Sequence, residues 1–206
     1  MKKHYINNNN NNMKTSIILG VLTLALSTIF TLTTKAQETI TKATTTGSGI
    51  RLSIGPDATL PVGSLHDGYN WSIGGSIQAD FPVIKDQLFV TVNAGYSNYF
   101  AKDSNLPGVD NKDLQLIPVK AGLKYFPVHN FYLQGEAGAS FIANKSDIGA
   151  DKSAAFVYAP QVGYLISLGG KNYLDAGVRF ESNTKFVTNG NTNNFFGLRV
   201  AYAFGL

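Results

Sequence analysis

From about Gly49 to the last residue, apolar side chains recur at every second position in eight consecutive segments. A period of two places alternate side chains on opposite faces of an extended chain, so it excludes a helical bundle and demands strands with one apolar face. The segments run Ile50–Gly55, Trp71–Phe81, Leu88–Ser97, Ile117–Tyr125, Phe131–Phe141, Phe156–Ser167, Leu174–Glu181 and Phe196–Leu206. Each carries aliphatic and aromatic residues on one face and Gly, Ser, Gln or charge on the other. No helical period competes with this pattern beyond residue 36.

The connections alternate in length. Those at Pro82–Asp86, Pro127–Asn130 and Leu168–Lys171 are short, whereas Pro61–Asn70, Ala101–Lys112, Asn144–Lys152 and Asn183–Asn194 are longer and polar. Sorting of this kind is expected of an even-stranded outer-membrane barrel, with tight turns on the periplasmic side and longer loops outside. Strands of about 10 residues suffice to cross a bilayer at a tilt. Aromatics flank the aliphatic middle of the apolar face, as with Trp71 and Phe81, Tyr125 and Phe131, and Phe156 and Tyr164. Such girdles mark the two membrane interfaces, so the apolar face is turned to lipid. A soluble lipocalin-like barrel would turn it inward instead. The expected fold class is all-β: an eight-stranded antiparallel up-and-down transmembrane β-barrel.

Composition agrees with a lipid-facing sheet. Charged residues make up 15% of the 206-residue chain, and it contains 21 Gly, 13 Phe and 10 Tyr. Soluble domains carry roughly 25% charge and about 7% glycine. The absence of cysteine excludes disulfides, thiol chemistry and thiolate metal sites. The net charge of +4 comes from Lys2, Lys3, Lys14 and Lys35, since removing these four from 17 basic residues leaves 13 against 13 acids. No basic nucleic-acid footprint remains.

Residues 1–36 read as a cleaved signal peptide: Lys14, the apolar run Ser16–Phe30, then Thr34-Lys35-Ala36 as a small-x-small cleavage site. The run of six asparagines at Asn7–Asn12 precedes Met13, which competes with Met1 as the start. A short segment, 37–47, then leads into the barrel domain, 48–206. Two prolines interrupt strands. At Pro118, Leu114 and Leu116 fall out of phase with Ile117 and Val119, which predicts a β-bulge; Pro160 sits at a similar height.

The stretches Ile117-Pro-Val-Lys-Ala-Gly-Leu-Lys-Tyr-Phe126, Leu174-Asp-Ala-Gly-Val-Arg-Phe180 and Phe196-Gly-Leu-Arg-Val-Ala-Tyr-Ala-Phe-Gly-Leu206 resemble the small eight-stranded outer-membrane β-barrel family, the porin-like barrel domains of Gram-negative envelopes. The resemblance covers about residues 48–206 and implies an outer-membrane location, with outer-membrane lipid and the barrel-insertion machinery as partners. It also makes the last strand, with Phe196, Leu198, Val200, Tyr202, Phe204 and Leu206 on one face, similar to the family's C-terminal assembly signal.

Catalytic and metal constellations are weak. Ser64, His66 and Asp67 share a glycine-flanked outer loop, but a triad is defined by geometry rather than by nearness in sequence. They read as a solvated loop, and His129 reads as part of a turn. Asp103, Asp110 and Asp113 lack the ordered spacing of a calcium loop. No catalytic residue, metal or cofactor is assigned. The charged face carries the expected site. An eight-stranded barrel is just wide enough for its inward side chains to fill. Asp80, Glu136, Asp175 and Glu181 there meet Arg51, Lys120, Lys124, Arg179 and Arg199. Buried charges must pair, so the lumen is expected to hold a mixed salt-bridge network without a continuous channel. The short turn at Pro127–Asn130 predicts Lys120 directly opposite Glu136. The function expected is a structural or surface-interaction barrel, its long loops meeting an extracellular ligand. A narrow pore or carrier of a small apolar ligand, and a lipid-modifying enzyme, stay open as alternatives.

Overall fold

The computed structural model describes residues 49–103, 111–148, 152–185 and 191–206. The signal peptide, the Met13 start and the segment 37–47 fall outside them, as does Asp110. The described chain forms eight antiparallel strands: β1 (Arg51–Val62), β2 (Tyr69–Ile84), β3 (Leu88–Ala101), β4 (Leu114–Val128), β5 (Phe131–Ile142), β6 (Ala154–Gly169), β7 (Asn172–Asn183) and β8 (Asn193–Gly205). Each pairs with its neighbours in sequence, and β1 pairs with β8, which closes the barrel. A 3-10 turn (Gly63–Asp67) follows β1, and a four-residue helix α1 (Lys145–Ile148) follows β5.

The strands are 12 to 16 residues long, longer than a membrane crossing requires. Ladder hydrogen bonding continues past the apolar band, so β1 takes in Pro56–Leu60, beyond the alternating segment, and Pro61–Val62, which the sequence alone reads as loop. The short turns fold on left-handed residues: Asp86, Asn130, Gly169 and Gly170 all have φ between 57° and 104°. Asp and Asn tolerate this region and Gly occupies it without penalty, so the local sequence itself sets the hairpin ends. With eight strands, Arg51 and Gly205 pair at the same end as these turns.

The predicted bulge at Pro118 is absent. On the β3 side the register at Ala94↔Val119 resumes at Ser97↔Leu116 without a slip, and on the β5 side pairing is continuous. Leu114 and Leu116 look out of phase because they point inward, where both are buried. The proline, lacking an N–H, interrupts pairing to one neighbour and leaves the register intact. Pro160 does the same between β6 and β7, as Tyr158↔Ser182 resumes at Gln161↔Arg179. Pro56 does so between β1 and β8.

The outward face carries Ile54, Ile73, Ile77, Leu123, Leu133, Val162, Val178 and Leu198, all exposed. The inward face carries the buried charges. This inversion of the globular pattern is the arrangement that lipid as solvent requires.

Candidate functional site

Inside the barrel, side chains stack in layers along the axis. At the long-loop end lies an apolar layer of Tyr99, Leu114, Leu116, Ile142, Ala155 and Phe195, with Leu65 of the 3-10 turn and Ile148 of α1 packed on it. The Tyr99 and Phe195 rings sit 4.7 Å apart. At the short-turn end Phe89, Phe126, Tyr132 and Leu165 form a second apolar layer with Tyr173 beside it. Sequence reading missed both layers because it assigned apolar residues to lipid. The signal was present where strand ends carry apolar residues on both faces at once, as in Leu88-Phe89-Val90, Phe131-Tyr132-Leu133 and Tyr164-Leu165-Ile166.

Two charged layers lie between them. In the upper one, Lys120 Nζ stands 2.9 Å from Glu181 and 3.4 Å from Glu136, and Arg179 stands 2.9 Å from Asp57 and 3.6 Å from Glu181. In the lower one, Lys124 Nζ stands 2.8 Å from Asp175 and 3.2 Å from Asp80. Arg51 and Arg199 reach the same two carboxylates at 3.8 Å each. All nine residues singled out on the charged face therefore point into the barrel. Asp57 completes them: with it, five carboxylates face five cations and the interior is formally neutral. It lies just past Gly55, where the apolar alternation stops, whereas β1 continues through it.

The register differs from the expected one. Lys120 lies opposite Gly138, and Glu136 lies opposite Gly122. Lys120 and Glu136 thus meet on the diagonal, each opposite a glycine at which a Cβ would run into the facing strand's backbone. The lysine's shorter contact, to Glu181, comes from across the barrel rather than from a neighbouring strand.

Uncharged polar groups brace the lower charged layer. The Gln78 amide donates to Asp80 at 2.6 Å and Asn93 donates to Gln78 at 3.2 Å. The Tyr132 hydroxyl donates to Asp175 at 2.6 Å and accepts from Gln161 at 2.7 Å. Arg199 donates to Ser76 at 2.8 Å and Ser53 at 3.0 Å. Tyr132 reaches Asp175 only because Gly163 and Gly177 carry no side chain. A Cβ at Gly163 would collide with the Tyr132 ring. We expect Gly163→Val to cost about 1–3 kcal/mol through this overpacking. Loss of near-ultraviolet tyrosine dichroism, with far-ultraviolet strand signal retained, would report it.

The other candidates are dispersed. Ser64, His66 and Asp67 are all exposed on the 3-10 turn, and no hydrogen bond joins them among the described residues. Asp113 accepts from the Asn98 amide at 2.9 Å and the Ala101 N–H at 3.0 Å, which ties β3 to the loop, while Asp103 is exposed. Among the described residues no cluster of three metal-ligating side chains forms. On β8, Phe196, Leu198 and Tyr202 are exposed on the outer face and Val200 and Phe204 partly so, while Leu206, also exposed, lies just past the strand's end.

Known proteins match this architecture. Neisserial surface protein A superposes with a TM-score of 0.52 at 19% identity, over 77% of this chain and 98% of that one. The Yersinia pestis outer membrane protein Ail, solved in a phospholipid bilayer nanodisc, gives 0.51 at 16% identity, over 77% of this chain and all of the other. No curated protein sequence matches. At these identities the structural likeness shows the fold alone. The family model of the outer membrane protein beta-barrel domain matches residues 22–204. The chain belongs to that family, and it is a β-barrel protein of the Gram-negative outer membrane.

Proposed function

We propose that this barrel is a closed envelope element, in which the wall fills the membrane, the lumen conducts no solute, and the long loops engage ligands outside the cell. The observation that carries this reading is the stack of buried charges. Lys120, Lys124, Asp80, Glu136, Asp175 and Arg199 are each at most 4% exposed, held between apolar layers at both ends. A solute crossing the barrel would have to separate ion pairs of about 3 Å in a site with little water, and each stranded ion costs several kcal/mol. An open pore needs a wider, wetter interior, as in barrels of 16 or more strands. Delivery by a signal peptide over residues 1–36, and insertion with β8 as the assembly strand, complete the reading.

The test is a planar-bilayer recording of the refolded mature protein beside a liposome-swelling assay. No step of porin size is expected, and sugars should not enter. Stable conducting openings would sink the closed-lumen reading and favour the narrow pore.

A further inference from the structure

At the short-turn end the barrel opens into a recess of about 400 Å³. That volume falls within the range of small-molecule sites. Its walls are Phe89, Phe126, Leu165 and Tyr173, its rim includes Lys85, Asp86 and His129, and Arg51 lies at its inner end. The Arg51 guanidinium carbon is 5.1 Å from the Phe89 ring, 5.1 Å from Tyr173 and 5.8 Å from Phe126. Three aromatic faces thus hold a planar cation in one orientation, which reduces what a ligand must order on binding.

Arg51 is under-used by the protein. Asp80, its ion-pair partner, is 3.8 Å away, whereas Lys124 reaches that carboxylate at 3.2 Å and Gln78 at 2.6 Å. Nη1 of Arg51 is the buried atom that faces Asp80, too far for a hydrogen bond, while the side chain as a whole is 15% exposed and lines the recess. A guanidinium carries five donors in a planar fork, matched to a carboxylate. A part-exposed guanidinium that holds its own carboxylate only at 3.8 Å, at the end of an aromatic recess, is a receptor for an anion with a flat body. The Tyr132–Lys124 layer, with Lys124 Nζ 4.0 Å from the ring centre, lies beyond it, so the recess is entered from the periplasmic side.

We infer that this recess is a periplasm-facing binding site for a carboxylate carried on a planar apolar body, with Arg51 gripping the carboxylate and Phe89, Phe126 and Tyr173 packing on the body. Such a group could be a free aromatic acid or the aromatic C-terminus of a peptide. The site goes beyond the closed-barrel reading and does not depend on it.

The experiment titrates the refolded mature protein, in zwitterionic micelles and with labelled Tyr and His side chains, against 1-naphthoate, naphthalene and acetate. Naphthoate should shift Tyr173 and His129 saturably. Naphthalene and acetate should bind roughly tenfold more weakly, the equivalent of one charge-assisted hydrogen bond. Arg51→Gln should weaken naphthoate at least about tenfold on the same argument. Arg51→Lys keeps the charge but loses the fork, and serves if the glutamine variant fails to refold; it should bind several-fold more weakly. Acetyl-Ala-Phe, as free acid and as amide, separates the two sources: an acid that binds tighter than naphthoate assigns the site to a peptide end, and a weaker one to a free small acid. Naphthalene binding as tightly as naphthoate would overturn the inference. So would Arg51 variants that bind like wild type, or shifts confined to the lipid-facing Tyr96 and Tyr158.

Discussion

Lys124→Met lowers the unfolding free energy of the barrel by about 3–5 kcal/mol, the cost of leaving buried charges without their partner. The lysine is the hub of the lower layer. Its ammonium lies within 3.2 Å of both Asp80 and Asp175, and its side chain is fully buried. Methionine keeps the volume, so the loss measures charge rather than packing. What remains for the two acids is one neutral hydrogen bond each, from Gln78 and Tyr132 at 2.6 Å, and one cation each, Arg51 and Arg199, at 3.8 Å, which do not replace the ammonium. The same reasoning ranks the cations. Glu136→Ala should cost less, because Lys120 keeps its shorter contact to Glu181 at 2.9 Å. Urea titration of refolded protein, read by the heat-modifiable gel shift, measures both. Adding Asp175→Asn to Lys124→Met should recover part of the loss. Equal stability of Lys124→Met and wild type would mean the lumen is hydrated enough to screen its charges.

Leu198→Arg costs about 2–4 kcal/mol in lipid vesicles, the depth-dependent penalty for a cation at the bilayer midplane. Leu198 lies midway along β8, is 52% exposed, and pairs with Val178, itself outward-facing. The same exposure on a soluble barrel would make the change nearly neutral, within about 0.5 kcal/mol. The variant therefore reads out which solvent the outer face meets. A refolding equilibrium in vesicles identical to wild type would contradict the lipid-facing assignment.

The two variants act on opposite faces of the sheet, one on charge that must be paired and the other on apolar surface that must stay in lipid. Between them they account for how a chain whose exposed large side chains include so many apolar ones can also turn ten charged groups inward, nine of them buried.

Strand existence, strand order and the outward face were legible in the sequence. All three follow from the two-residue period and from turn residues such as Asn130, Gly169 and Gly170, which act locally. So was the set of nine inward charges, since parity alone places them. Three features depended on the closed barrel. The first is the partner of each charge: Lys120 meets Glu181 across the lumen, and no local pattern relates residues 61 apart. The second is the reach of the strands: Asp57 joins the network because unbroken pairing with β2 carries β1 through a proline that locally reads as a break. The third is the pair of apolar layers at the barrel ends. A period of two says which residues share a face, and Leu114, Leu116, Phe89 and Tyr132 share theirs with the charges. Whether that face meets lipid, loops or opposite strands is set by where along the axis it falls. Height along the axis is a property of the assembled sheet, fixed by register around all eight strands, so the sequence determined the wall and the tertiary structure decided what fills it.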